Sequence, residues 1–85
     1  MRPTQHPSNN RVLGAPPGWN QGGELPCSAL AITDATQGGM PCVVSFWRPD
    51  AAELALLNAG GLVALSIVGG TMPPASVFAT NEETL

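Results

Sequence analysis

The chain has 85 residues, 44% of them apolar and only 11% charged, which allows one domain and excludes a charge-rich disordered tail. Three arginines, no lysine and six acids give a net charge of −3. That leaves no basic stripe to neutralise a run of phosphates, so duplex nucleic acid is not expected as a partner. No apolar run reaches the ~18 residues of a membrane helix. The start, MRPTQHPSNN, lacks the apolar middle of a signal peptide. The expectation is a cytoplasmic protein with no membrane partner.

Residues 1–26 hold five of the nine prolines together with Gly14, Gly18, Gly22 and Gly23, which precludes a long helix. They read as an extended arm: frayed over 1–8, a short extended piece at Arg11–Gly14, and an ordered loop around Trp19. A single α+β domain is expected over 27–80, with an acidic tail at 81–85. Cys27–Thr33 (CSALAIT) and Cys42–Trp47 (CVVSFW) read as two strands of a hairpin with a longish loop, Gly38-Gly39 at its tip.

Asp50 and Glu53 have the spacing of a capping box, in which the Asp carboxylate takes an orphan backbone N–H and the Glu reaches back. Pro49 then either precedes the cap or occupies the first helical position. The helix should run for about ten residues, with Leu54, Leu57, Ala51 and Ala55 on one apolar face that Leu56 widens, and stop at Gly60-Gly61. Leu62–Val68 (LVALSIV) reads as a strand buried on both sides, and Ala75–Thr80 (ASVFAT) as a last strand. The resulting fold class is α+β, a small, mostly antiparallel sheet of about four strands in ββαββ order with one short helix. One helix cannot cover such a sheet, so a homo-oligomer, a dimer or higher, is expected.

The chemistry-bearing residues are few. Cys27, Cys42 and His6 are too few and too scattered for a structural zinc site, and no metal or cofactor is expected. The two cysteines read as small apolar residues flanking the hairpin. A disulfide between them is conceivable, although a cytoplasmic chain should keep thiols. With the only histidine in a loose leader, no Cys–His or Ser–His–Asp set can be assembled, so the chain is expected not to be an enzyme. Three clusters remain. Trp19 offers a face for a flat ring, beside Arg11 and Asn20, against the plainer role of pinning its loop. Trp47-Arg48 joins strand to helix, where a guanidinium and outward N–H groups suit a phosphate or carboxylate; the plainer reading is an ion pair with Asp50 or Glu53. Gly69-Gly70-Thr71 permits close backbone approach and carries a hydroxyl, yet has none of the P-loop pattern and also reads as a simple turn. The candidate ligand-binding residues are therefore Arg48, Trp47, Trp19, Arg11 and Thr71.

The strings NNRVLGAPPGW (9–19), LPCSALAITD (25–34), SFWRPDAAELALLNAGG (45–61) and TMPP (71–74) resemble a family of short uncharacterised proteins of proteobacterial tailed phages and prophages. The resemblance covers nearly the whole chain and implies a protein made in the host cell during infection or lysogeny. It carries no family-wide activity onto any residue. In that context the expected function is a non-enzymatic oligomeric binding protein. It would act as an anti-defence sponge sequestering a small nucleotide-type immune signal, with any anion site built locally from Arg and backbone N–H groups. The alternatives are a protein-interaction module that inhibits a host or phage protein, and a virion assembly accessory.

Overall fold

The computed structural model describes residues 1–24 and 26–82. Residues 83–85, most of the expected acidic tail, lie outside the described residues. The chain divides into two compact units, Met1–Arg48 and Pro49–Leu85.

The first unit is a four-stranded antiparallel sheet. Its strands are β1 (Arg2–Thr4), β2 (Arg11–Leu13), β3 (Leu30–Gln37) and β4 (Met40–Arg48), arranged β1-β4-β3-β2. The β3–β4 hairpin is the frame. Gln37 pairs with Met40, so only Gly38-Gly39 forms the loop, with φ of 58° and 79°. Two consecutive positive φ angles make the tight hairpin turn that matches strand twist, and glycine adopts them without steric cost. The loop is thus shorter than expected, because Thr36 and Gln37 continue β3 instead of joining the turn.

The order of elements also differs from expectation. It is ββββα, with both short strands of the leader in the sheet and no strand over 62–68 or 75–80. β1 pairs with the end of β4 (Arg2 opposite Arg48, Thr4 opposite Phe46), and β2 with the start of β3 (Arg11 opposite Ile32). Residues 1–8 are therefore held, not frayed. Ile32 is fully buried, and Phe46 and Thr33 nearly so.

Side-chain amides extend the ladders where strands end. The Asn10 carboxamide takes the Asp34 N–H at 2.8 Å and donates to the Asp34 carbonyl at 3.4 Å, standing in for a peptide unit beyond β2. Outside the strands, the Gln21 carboxamide likewise accepts the Cys27 N–H and donates to the Cys27 carbonyl, each at 2.7 Å. This use of Cys27 is one reason that β3 starts at Leu30 and not at the cysteine. Cys42 pairs with Ala35, so the two cysteines do not face each other, and both are free thiols.

The second unit contains α1 (Ala51–Asn58). The capping box is present: Glu53 N–H donates to Asp50 Oδ1 at 2.8 Å, and Asp50 N–H to Glu53 Oε1 at 3.0 Å. Asp50 is the N-cap, which places Pro49 before the cap. At the other end, Gly60 N–H donates to the Leu57 carbonyl and Gly61 N–H to the Leu56 carbonyl, with Gly60 at φ 91°. This is the two-bond glycine stop of the Schellman type. A Cβ on Gly61 would sit 2.7 Å from the Leu56 carbonyl oxygen. The helix has no single apolar face, since its leucines and alanines are spread around the axis and none of its residues is buried. Beyond it the chain is irregular and largely exposed as far as residue 82. The strand expected at 62–68 does not form, because no described segment supplies its backbone with a ladder partner.

Candidate functional site

Antiparallel partners share a face, and residues two apart on one strand do too. One face of the sheet therefore carries Thr33 from β3, Phe46 and Arg48 from β4, and Arg2 and Thr4 from β1. The loop after β1 folds over this face. His6 stacks on Phe46 with ring centroids 4.0 Å apart and planes within 6°. Below it runs a polar chain. His6 Nδ1 lies 2.8 Å from Ser8 Oγ and also accepts the Ser8 backbone N–H at 3.2 Å. Ser8 Oγ is 2.8 Å from Thr33 Oγ1, to which Asn9 Nδ2 donates at 3.2 Å.

The direction of this chain follows from its ends. Because Nδ1 accepts an N–H, the neutral ring carries its proton on Nε2, and the Ser8 hydroxyl donates to Nδ1. Ser8 Oγ then accepts from the Thr33 hydroxyl, and Thr33 Oγ1 accepts from Asn9. Every buried polar atom of Thr33 is satisfied, and the turn is closed by Asn9 N–H to the His6 carbonyl (2.9 Å) and by His6 N–H to Asn9 Oδ1 (2.8 Å). A serine beside an imidazole is the start of a nucleophile–base pair. Here the same contacts fasten the loop to the sheet. The expectation of a loose leader around His6 is corrected: the bare Phe46 ring and the buried Thr33 hydroxyl each find their partner in it. The signal was present in His6-Pro7-Ser8-Asn9, with proline second in a four-residue turn.

Beside the His6–Phe46 stack, Arg2 stands directly opposite Arg48. Two of the chain's three arginines thus occupy paired positions on neighbouring strands, where like charges disfavour one another. Arg2 was not among the expected site residues. A three-residue strand containing a proline gives almost no pattern to read.

The expected site residues fall in different places. Trp47 is next to Arg48 in sequence, but on a strand neighbours point to opposite faces. Trp47 sits on the other face, about half exposed, its indole N–H donating to Ser45 Oγ at 2.8 Å. Arg11 is on that same face by register, through Ile32 and Ser45. It is committed to Asp34 in a two-pronged ion pair, with Nε and Nη2 donating at 2.8 and 2.7 Å. The hydrogen bonds and charge of Asp34 hold the Arg11 guanidinium even more firmly protonated than usual. Trp19 is half-buried and closes the Pro16–Trp19 turn, its backbone N–H donating to the Pro16 carbonyl at 3.1 Å, with Gly18 at φ 79°. Thr71 is exposed in the second unit.

Among the described residues no group of three or more His, Cys, Asp or Glu side chains is arranged to hold a metal ion. Among the described residues no helix is long and apolar enough to cross a membrane. No family model, curated protein or solved structure matches the chain.

Proposed function

We propose that the chain is a non-enzymatic binding protein of a tailed phage or prophage, acting as a homo-oligomer in the host cytoplasm. Its ligand is a small nucleotide-type anion, withheld from host immune signalling. The observation that carries the reading is the register of β1 on β4, which sets Arg2 against Arg48 at one end of the sheet. Arginines at paired positions on one sheet face suit a phosphate, which each guanidinium can grip through two N–H groups. Arg48 is kept from the sequence reading and Arg2 is added. Ligand binding at Arg11 has to compete with Asp34.

The test is native mass spectrometry of protein freshly purified from a bacterial host with nucleotide-based defences, followed by calorimetry with the compound retained. The expected result is an adduct of nucleotide mass, with affinity falling at least tenfold in R2A and in R48A. A protein that carries no adduct and binds no added nucleotide overturns the reading.

A second reading, a protein-interaction module, is favoured by a separate observation: the exposed apolar run that follows α1. A stoichiometric complex with a host or phage protein, formed without any nucleotide, would replace the first reading by this one. Detection of the chain in purified particles would point instead to a virion accessory.

A further inference from the structure

We infer that residues 62–68 are a dimerisation strand that pairs antiparallel with the same segment of a second copy, with Leu65 on the two-fold axis. This rests on the oligomeric part of the proposed function and not on the ligand. The segment, Leu-Val-Ala-Leu-Ser-Ile-Val, has no charge and no proline and contains three β-branched residues. That composition favours a strand. Yet it is not one within the chain, and its backbone makes no hydrogen bond to other described residues.

Four of its apolar side chains are largely in solvent, with Leu62 89% exposed, Val68 68%, Leu65 51% and Val63 50%, while Ile67 is half-buried. A paired strand would satisfy every second residue's backbone groups along one edge and bring these side chains against those of the second copy.

The occupant is read from the sequence of the segment itself. Pairing about Leu65 sets Leu62 opposite Val68, Val63 opposite Ile67, Ala64 opposite Ser66, and Leu65 opposite its own copy. Every pair matches large with large or small with small. Shifting the centre by one residue, the smallest step that keeps partners on one face, sets Leu62 against Ser66 or Val68 against Ala64. Antiparallel pairing about a two-fold also closes on itself, whereas a parallel stack would leave an open end. The absence of charge means that two copies meet without like-charge repulsion, despite the net negative chain.

The area suffices for a small dimer. An aliphatic side chain carries roughly 100 Å² of apolar surface, and Phe roughly 150 Å². The four residues above, with Met72 (61% exposed) and Phe78 (49%), then present roughly 400 Å² per copy. The smaller specific interfaces bury about 600 Å² per partner, some 65% of it apolar in homodimers, which is about 400 Å². The dimer should therefore be reversible and dependent on concentration.

The test is disulfide trapping in a full-length C27S/C42S background, with Leu65→Cys compared with Leu62→Cys, alongside sedimentation equilibrium of the wild-type chain. Cysteines facing across a strand pair are within bridging distance, and only position 65 faces its own copy. A reversible wild-type dimer, with efficient trapping at 65 and little at 62, is expected. A dimer that traps at 62 and not at 65, or at neither, overturns the pairing and leaves the oligomer intact. A monomer at all concentrations, or open-ended aggregation, overturns the pairing and the oligomeric part of the proposed function together. Nucleotide binding by such a chain would still stand by itself. Far-UV circular dichroism of each variant confirms that the fold is retained.

Discussion

Thr33 is a hydroxyl buried at the centre of a sheet face, and it shows how the leader is tied down. Its oxygen accepts from Asn9, and its hydroxyl is hydrogen-bonded to that of Ser8, which in turn bonds His6. Thr33→Val keeps shape and strand propensity but leaves two polar partners in a half-buried place without their bond. The expected loss is about 1–3 kcal/mol, measured by urea unfolding, since a buried polar group left unsatisfied costs more than a bond gains. Ser8→Ala should cost less, and the double variant less than the sum, because the two residues share one chain of bonds. Strict additivity would show that the hydroxyls do not cooperate. None of this is legible from residue types alone. The pairing of Thr33 with Ser8 spans 25 positions, and only the register of β1, β4 and β3 brings the two together. Local chemistry was legible where both partners lie within one turn, as for Asp50 and Glu53.

At the scale of elements, the capping box makes a pH prediction with a definite sign. The Glu53 carboxylate is held below its ordinary 4.5, first by the Asp50 backbone N–H that it accepts. A lowered folded pKa means that Glu53 contributes stability above 4.5, which is lost as pH falls through the lower folded value. The Glu53 side-chain carboxyl resonance should therefore titrate with a midpoint below 4.5 in the wild-type chain. A midpoint at or above 4.5 would show that the carboxylate is not held by this contact. The helix and the β3–β4 hairpin were readable because their signals are local: a cap, a double-glycine stop, a double-glycine turn. β1 and β2 were not, since three-residue strands carry too little alternation to distinguish from loop. The segments 62–68 and 75–80 misled for the opposite reason. Their composition is that of strands, but a strand exists only when another backbone completes its ladder. The apolar spacing of α1 misled in the same way, since it names a face without supplying anything to cover it.

For the molecule as a whole, the contrast lies between a hairpin flanked on both edges by β1, β2 and the Asn10 carboxamide and a second unit whose apolar chain is left in water. Exposed runs of this kind are a hazard for a soluble chain unless they are used. Hydrogen exchange at two protein concentrations separates use from hazard. The amides of β3 and β4 should be protected equally at both, because their partners are in the same chain. Those of 62–68 should exchange freely when dilute and gain protection on concentration, at alternate residues only, since every second N–H on a strand points to a given neighbour. Protection that spreads evenly over the segment would indicate burial without strand pairing. Equal exchange at both concentrations, fast throughout, would mean that the segment stays solvent-exposed in solution. The alternation is the discriminating feature, because only a ladder imposes a period of two on amides that the isolated chain leaves equivalent.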